Sequence, residues 1–335
     1  MPKVISLKSP GIVLSALLIT LTLISQTVGA QKISSSDRKK LVQKEDSLRI
    51  LAADIILDSF TAKRMRSDSL LTKTFIRALQ VKNSFYYSFD SVQGISKLYA
   101  PDSSFRILTW NITFTDFYAR QRGAIQMRTN DGSLKLIPLR DVSEFARDAT
   151  DSVRYKNNWI GAVYYDIVKT TYNGKSFYTM MGFDYNSVMS NKKWIEVLSF
   201  DDAGEPVFGA ARFFTFEKDS LKRYPGYRFN LEYKKTARAI LQYDPELKMI
   251  LVDHLISETD EPQNKWTYVP DGDYEAFTWQ NGRWVHIDKL YNFKLKEGEA
   301  PVGNPILDSK GNKNEEKLQQ QSDKNKQKKK DGGNE

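Results

Sequence analysis

Tight turns between aromatic and β-branched runs constrain the fold of this sequence most. Asp131-Gly132, Asn173-Gly174 and Asn281-Gly282 each separate two such runs. Asn-Gly and Asp-Gly favour the left-handed backbone of two-residue hairpins, and turns this short join only antiparallel neighbours. The helices that a doubly wound nucleotide-binding sheet needs between its strands are not predicted. The sequence therefore predicts a mainly β protein, an antiparallel sheet or sandwich of hairpins, with an N-terminal α-helical segment.

Register follows from the same turns. If Asp131-Gly132 is a two-residue loop, Met127 opposes Leu136 and Ile125 opposes Pro138 on a buried face. The strands that flank Asn173-Gly174 carry apolar residues on both faces, which suits either a sandwich or a sheet capped by helices.

The N-terminal helical segment is predicted from apolar residues that recur at helical spacing, which are Leu41, Leu48, Leu51 and Ile55. Ser36-Asp37 are the predicted cap, and a second helical stretch is predicted from Asp68 to Val81. An amphipathic helix pair packed on the β domain explains this pattern, and a partner-binding helix is the alternative.

The two ends of the chain differ from its middle. Lys3 and Lys8 precede the apolar run Ile12 to Ile24, and small residues lead to Ala30, which is the pattern of a cleaved secretory signal. The last residues are rich in Lys, Gln and Asn and are expected to be disordered. We divide the chain into a signal peptide (1–30), a helical segment (31–90), an antiparallel β domain (91–300) and a disordered tail (301–335). After signal cleavage no transmembrane span is expected.

Composition and motifs exclude several classes of protein. The chain has no cysteine and two histidines, and its net charge of +9 is dispersed rather than clustered as in nucleic-acid binders. We find no phosphate-binding glycine loop and no nucleophile elbow. Asp271-Gly272-Asp273 reads as a turn, because the Glu that ends a calcium loop is missing. We therefore predict no cofactor, no metal site, no nucleic-acid partner and no catalytic residue.

The most informative constellation surrounds Asn281-Gly282. A two-residue hairpin there pairs Trp279 with Trp284 and Phe277 with His286, so that the four side chains form one aromatic strip. A core face is the first interpretation of such a strip. The second is a platform for a sugar or peptide, which makes these four residues the candidate ligand-binding site.

Several segments of the sequence resemble segments of uncharacterised exported proteins of Bacteroidota. They are Phe105 to Trp110, Val252 to Leu255 and Val269 to Tyr274, so the resemblance spans about Phe105 to Ile287. No activity is assigned to that family, and no catalytic residue is transferred. The resemblance implies a Gram-negative cell envelope. The tail does not resemble a β-rich sorting domain, which favours the periplasm over an outer-membrane or extracellular location.

The same resemblance implies a modification. Some exported proteins of Bacteroidota carry O-glycans on an Asp-Ser/Thr-aliphatic tripeptide, and five such tripeptides occur here. Ser91, Ser152 and Ser220 fall in predicted connections and are the candidate O-glycosylation sites. Capping of helices and turns by Asp and Ser explains the same motif without a glycan.

Two functions stay open at this point. The first is an exported, non-enzymatic binding or scaffold protein of the cell envelope, with a glycan or protein partner. The second is a hydrolase that acts on envelope glycans or peptides, which would show a deep cleft with converging carboxylates or a polar partner for His254.

Overall fold

The computed structural model describes residues 33–290 except 116–117, 147, 218, 220–222 and 260. The predicted signal peptide and the predicted tail lie outside the described residues. Two helices come first, α1 (Ser35–Leu57) and α2 (Thr61–Leu79). The Ser34 hydroxyl, rather than Ser36 or Asp37, caps α1 by accepting the Asp37 N–H at 3.0 Å.

Fifteen strands among the described residues form three sheets. Sheet 1 has the order β1-β2-β3-β4, with β1 Ile95–Tyr99, β2 Phe105–Thr115, β3 Tyr118–Met127 and β4 Lys135–Leu139. All its pairs are antiparallel.

Sheet 2 has the order β5-β9-β8-β7-β6, and β11 also pairs with β8. Its strands are β5 Arg154–Tyr155, β6 Val163–Tyr172, β7 Lys175–Asp184, β8 Ser190–Phe200, β9 Pro206–Phe208 and β11 Arg228–Lys234. The β6–β7 hairpin turns through Asn173 and Gly174, both at positive φ, as its Asn-Gly sequence predicts.

Sheet 3 has the order β10-β15-β14-β13-β12. Its strands are β10 Phe214–Thr215, β12 Leu241–Asp244, β13 Met249–Ser257, β14 Tyr268–Gln280 and β15 Arg283–Ile287. Only the short β10–β15 pair is parallel among the described strands, so the predicted mainly antiparallel β fold with an N-terminal helical segment is confirmed.

The elements stack in four layers: the helix pair, sheet 1, sheet 2 and sheet 3. Alternation along β2 sends Phe105 and Ile107 toward sheet 2, and Leu108 and Trp110 toward the helices. Along β8, Trp194 and Leu198 face sheet 1, whereas Ile195 and Val197 face sheet 3. The inner two sheets are therefore covered on both faces, which realises both arrangements that the sequence left open.

The register predicted around Asp131-Gly132 is wrong by one residue. Met127 pairs with Lys135 and Ile125 with Ile137. The connection is longer than two residues: the Asp131 carboxylate accepts bonds from the backbone and hydroxyl of Ser133, at 3.0 and 2.7 Å. Because side chains alternate along a strand, the shift moves Leu136 and Pro138 to the face that α2 partly covers.

Asp271-Gly272-Asp273 is not a turn between strands. It is an irregularity within β14, where the pairing with β13 shifts between Asp253 and Leu255. Gly272 has φ 96°, a conformation that glycine adopts without steric cost. The extra residues push the Asp271 side chain out to meet His254, at 2.8 Å between carboxylate oxygen and ring nitrogen.

Candidate functional site

The predicted aromatic strip forms with the expected pairing but lies in the interior. Trp279 pairs with Trp284, and Phe277 with His286. Phe277, Trp284 and His286 are buried, and Trp279 is partly buried against Phe177 and Phe213. A platform for a sugar or peptide needs exposed ring faces, so the strip is the core between sheets 2 and 3, and not an exposed ligand-binding surface.

His286 and His254 lie on either side of the Glu275 carboxylate. His286 lies between Asp219 and Glu275, with 2.7 Å from each ring nitrogen to a carboxylate oxygen. The other oxygen of Glu275 is 4.0 Å from His254, which Asp271 orients. Each ring nitrogen of His286 therefore has an acidic partner within hydrogen-bond distance.

This network is explained without a metal ion. Asp219, His286 and Asp288 bring ligand-type atoms within 4.8 Å of one another. However, Arg223 already forms an ion pair with Asp219 at 2.6 Å and approaches His286 Nδ1 at 3.2 Å. The other ring nitrogen of His254 lies 4.0 Å from the Glu275 carboxylate and not against a hydroxyl, so the described residues around the His254–Asp271 pair do not form a catalytic triad.

A small polar cavity of about 240 Å³ between sheets 1 and 2 is lined by Glu144 and by two further carboxyl groups, those of Asp141 and Asp184. Gln121 bridges them, with its backbone N–H donating to Asp141 at 3.0 Å and its side-chain amide donating to Asp184 at 2.9 Å. Burial raises the pKa of the Asp184 carboxyl. The Asp141 oxygens also accept bonds from Ser143 and Gly161, which hold the loops around β5 in place.

The candidate glycosylation serines lie in different surroundings. Ser91 is exposed, but its hydroxyl donates to Glu45 at 2.8 Å. Ser152 is half-buried, and its carbonyl accepts a bond from Arg228 at 2.6 Å. Ser220 lies outside the described residues. Glycosylation stays a prediction.

The feature best suited to hold a ligand is an apolar cavity of about 530 Å³ between α2 and sheet 1. Its lining combines one stripe of α2 with the helix-facing side chains of β2, β3 and β4. The lining residues are Met65, Asp68, Ser69, Thr72, Lys73, Phe75, Ile76, Leu79, Leu108, Trp110, Ile112, Phe114, Arg122, Gly123, Ala124, Leu136, Pro138 and Leu139. Pockets of this size and character are typical of small-molecule sites.

The cavity exists because α2 covers only part of sheet 1. Leu71, Phe75 and Leu79 of α2 are buried and form one core with Leu108 and Trp110 of β2. On β3, Ala124 pairs with Leu108 of β2 on one side and with Pro138 of β4 on the other. Its short side chain leaves space above the sheet at this point. The edge strand β4 completes the wall, and its exposed Pro138 removes one donor from the open edge.

Polar groups gather at one part of this lining. Asp68 accepts the Trp110 indole N–H at 2.9 Å and two bonds from Arg122, at 3.1 and 2.8 Å. Lys73 has no ion-pair partner among the described residues and is exposed. The lining therefore contains two cationic side chains and one carboxylate, which gives it one excess positive charge.

Comparison with known proteins finds no match. No protein-family model, no curated protein and no solved structure is similar to this chain. The cavity is therefore interpreted from its own geometry. Among the described residues, no helix combines the length and the apolar character that crossing a membrane requires.

Sequence reasoning missed this cavity. The available signal was α2, which carries five basic residues and one acidic residue, together with apolar side chains outside its buried stripe. Its long apolar and basic surface is typical of helices that meet amphiphiles or membranes.

Proposed function

We propose that the chain is an exported, non-enzymatic binding protein of the cell envelope, and that it binds an amphiphile with one apolar chain and an anionic head group. The observation that carries the proposal is the apolar cavity of about 530 Å³ beneath α2, with Lys73 and Arg122 in its lining. The basic leader, the short apolar core and Ala30 support export. The resemblance to exported proteins of Bacteroidota supports a periplasmic location.

Burial of the apolar chain supplies the affinity. Each methylene group moved from water into an apolar site contributes about 0.8 kcal/mol, so ten of them contribute roughly 8 kcal/mol. That gross figure corresponds to a micromolar dissociation constant, before the entropy lost on association is subtracted. The cavity is preformed, because Asp68 is already bonded to Trp110 and Arg122.

The positive charge of the lining selects the head group. Arg122 uses Nε and Nη2 to bind Asp68, so Nη1 keeps its donors for a ligand. Lys73 is exposed one helical turn from Ile76, where its ammonium group can meet an anion at the rim. A neutral molecule with the same chain gains only the apolar contribution.

Titration of the purified protein with cis-parinaric acid tests the proposal, with the methyl ester of that acid as the neutral comparison. Ala124→Trp fills the cavity and is expected to weaken binding more than tenfold. Ala53→Trp, on the exposed face of α1, is the matched control and is expected to bind like the wild type. Equal binding by wild type and Ala124→Trp contradicts the proposal.

Charge reversal tests the head-group contact separately. Lys73→Glu is expected to weaken binding of the acid several-fold and to leave binding of the methyl ester unchanged. Lys39→Glu, which is exposed at the start of α1, makes the same change of charge away from the cavity. If both variants have the same effect, the selection of an anion is a property of net charge and not of the site.

A hydrolase is the second candidate function, and the observation that favours it is the pair Asp141 and Asp184 at one polar cavity. Incubation of the protein with peptidoglycan and with envelope oligosaccharides tests it. Turnover that Asp184→Asn abolishes in a folded protein would favour a hydrolase. Absence of turnover in the wild type favours the binding protein.

A further inference from the structure

The connection between α1 and α2 presents large apolar side chains to solvent. Leu57 is 79% exposed, Phe60 65% and Ile56 57%, within five successive residues. Met65, one turn into α2, is 48% exposed. Single exposed apolar residues are ordinary, but four of them at one turn between helices mark an interaction surface.

Hydrogen bonds hold this tip in place. The Arg64 guanidinium donates to the carbonyls of Asp58 at 2.7 Å, Ser59 at 3.1 Å and Thr113 at 2.9 Å. The Thr61 hydroxyl donates to the Phe114 carbonyl at 2.8 Å. Because the turn is already ordered by the end of β2, binding through it costs little further conformational entropy.

Positive charge surrounds the apolar tip. Lys63 and Arg66 are exposed, and the Lys63 ammonium lies 5.1 Å from the centre of the Phe60 ring. The carboxylate of Asp58, in the same turn, is 3.8 Å from the Lys63 ammonium. Apolar side chains flanked by Lys and Arg are the pattern by which proteins lie in the interface of an anionic bilayer.

We infer that this turn docks on the surface of an anionic lipid membrane, with Leu57 and Phe60 inserted among the acyl chains and Lys63 and Arg66 on the head groups. The inference rests on the turn alone and does not require the proposed ligand. Met65 and Phe114 line one part of the apolar cavity and lie beside the turn. Docking would therefore bring the cavity close to the lipid from which an amphiphile can enter.

Co-sedimentation of the mature protein, residues 31–335, with vesicles tests the inference. Vesicles of equal parts phosphatidylglycerol and phosphatidylcholine are expected to bind it at least tenfold more tightly than pure phosphatidylcholine vesicles, with affinity falling as salt rises. The variant with both Leu57→Asp and Phe60→Asp is expected to lose at least tenfold in affinity. The variant with Val42→Asp and Ile50→Asp changes two exposed residues elsewhere on α1 and is expected to bind normally.

Several results decide against docking. The inference is overturned if the wild type does not sediment with anionic vesicles, or if the control variant loses as much affinity as the turn variant while both stay folded. Cis-parinaric acid binding in vesicle-free solution separates the two proposals. The turn variant should retain it, whereas Ala124→Trp should lose it and still bind vesicles. Failure on vesicles alone overturns membrane docking and leaves the proposed ligand of the cavity unaffected.

Discussion

At the scale of single residues, Trp284 shows what the aromatic strip does. It is 1% exposed, donates its indole N–H to the Thr179 hydroxyl at 2.9 Å, and meets Trp279 edge-on with ring centres 5.3 Å apart. The sequence alone predicts the Trp279–Trp284 pairing, because the Asn-Gly turn sets the register. It does not predict which partner covers the pair, because sheet 2 reaches it from more than a hundred residues away in the chain.

Trp284→Ala is therefore expected to destabilise the fold by about 3–5 kcal/mol, through lost burial and the space left behind. The measurement is the free energy of unfolding from urea titration. Trp266→Ala, at a partly exposed position, is the control, with an expected change below about 1 kcal/mol. A Trp284→Ala protein as stable as this control would show that the residue does not fill the core.

The Asp102 carboxylate, in the loop between β1 and β2 of sheet 1, forms hydrogen bonds with side chains of sheet 2. It accepts bonds from Lys169 and Tyr178 of sheet 2, both at 2.8 Å, and from the Ser104 hydroxyl at 2.7 Å. Burial opposes ionisation of this carboxyl, but these hydrogen bonds outweigh burial and hold the pKa of Asp102 well below its usual range. A carboxyl whose pKa is lower in the folded state stabilises the fold above its unfolded pKa, and loses that contribution as pH falls toward its folded pKa.

Asp102→Asn is expected to lower the free energy of unfolding by about 1–2 kcal/mol at pH 7. The gap to the wild type should narrow below about pH 4, where the unfolded carboxyl becomes protonated. Urea titrations at pH 7 and pH 2.5 measure both gaps, with the exposed Asp151→Asn as control. A gap that is constant or grows on acidification would contradict the assigned ionisation.

At the scale of elements, the hairpins separate what sequence can predict from what it cannot. Asn173-Gly174 and Asn281-Gly282 form the two-residue turns expected of them, since local backbone preference decides their shape. Asp131-Gly132 does not, because Ser133 and Thr129 add local hydrogen bonds and the backbone of Asn83 donates to Gly132 at 2.9 Å. The register there differs by one residue from that of a two-residue turn, which places Leu136 and Pro138 in the lining of the cavity.

The two Asn-Gly hairpins offer a matched pair of substitutions. Both glycines have positive φ, 73° at Gly174 and 78° at Gly282, so alanine at either position costs about 1–2 kcal/mol in backbone strain. A Cβ at Gly174 meets nothing within 4 Å, whereas a Cβ at Gly282 comes within 2.5 Å of the Tyr172 ring. The second site therefore carries an additional packing cost.

Gly282→Ala is expected to destabilise the protein by at least about 1 kcal/mol more than Gly174→Ala. Adding Tyr172→Ala should remove most of that excess in a double-mutant cycle on the free energy of unfolding. Equal effects of the two glycine substitutions would mean that the β14–β15 tip is free to move away from Tyr172.

At the scale of the whole molecule, the helix pair and the three sheets form four layers, in which each of the two inner sheets is covered on both faces. The sequence predicts the mainly β architecture and the helical segment, because turn chemistry and periodicity are local. It does not predict that α2 leaves β3 and β4 partly uncovered, since that depends on how Leu71, Phe75 and Leu79 dock on β2. The cavity results from this long-range packing, so no local sequence motif predicts it.

Photo-crosslinking with a fatty acid that carries a diazirine on its chain tests the central claim most directly, because it reports where in the protein the amphiphile lies. Peptide mapping by mass spectrometry is expected to place the label on α2 and on β3, around Met65, Ile76 and Ala124. Excess unlabelled fatty acid should compete it away, and Ala124→Trp should abolish it. Label that concentrates elsewhere, such as the wide crevice of about 920 Å³ beside Tyr172 and Arg283, or label that Ala124→Trp leaves unchanged, would contradict the account.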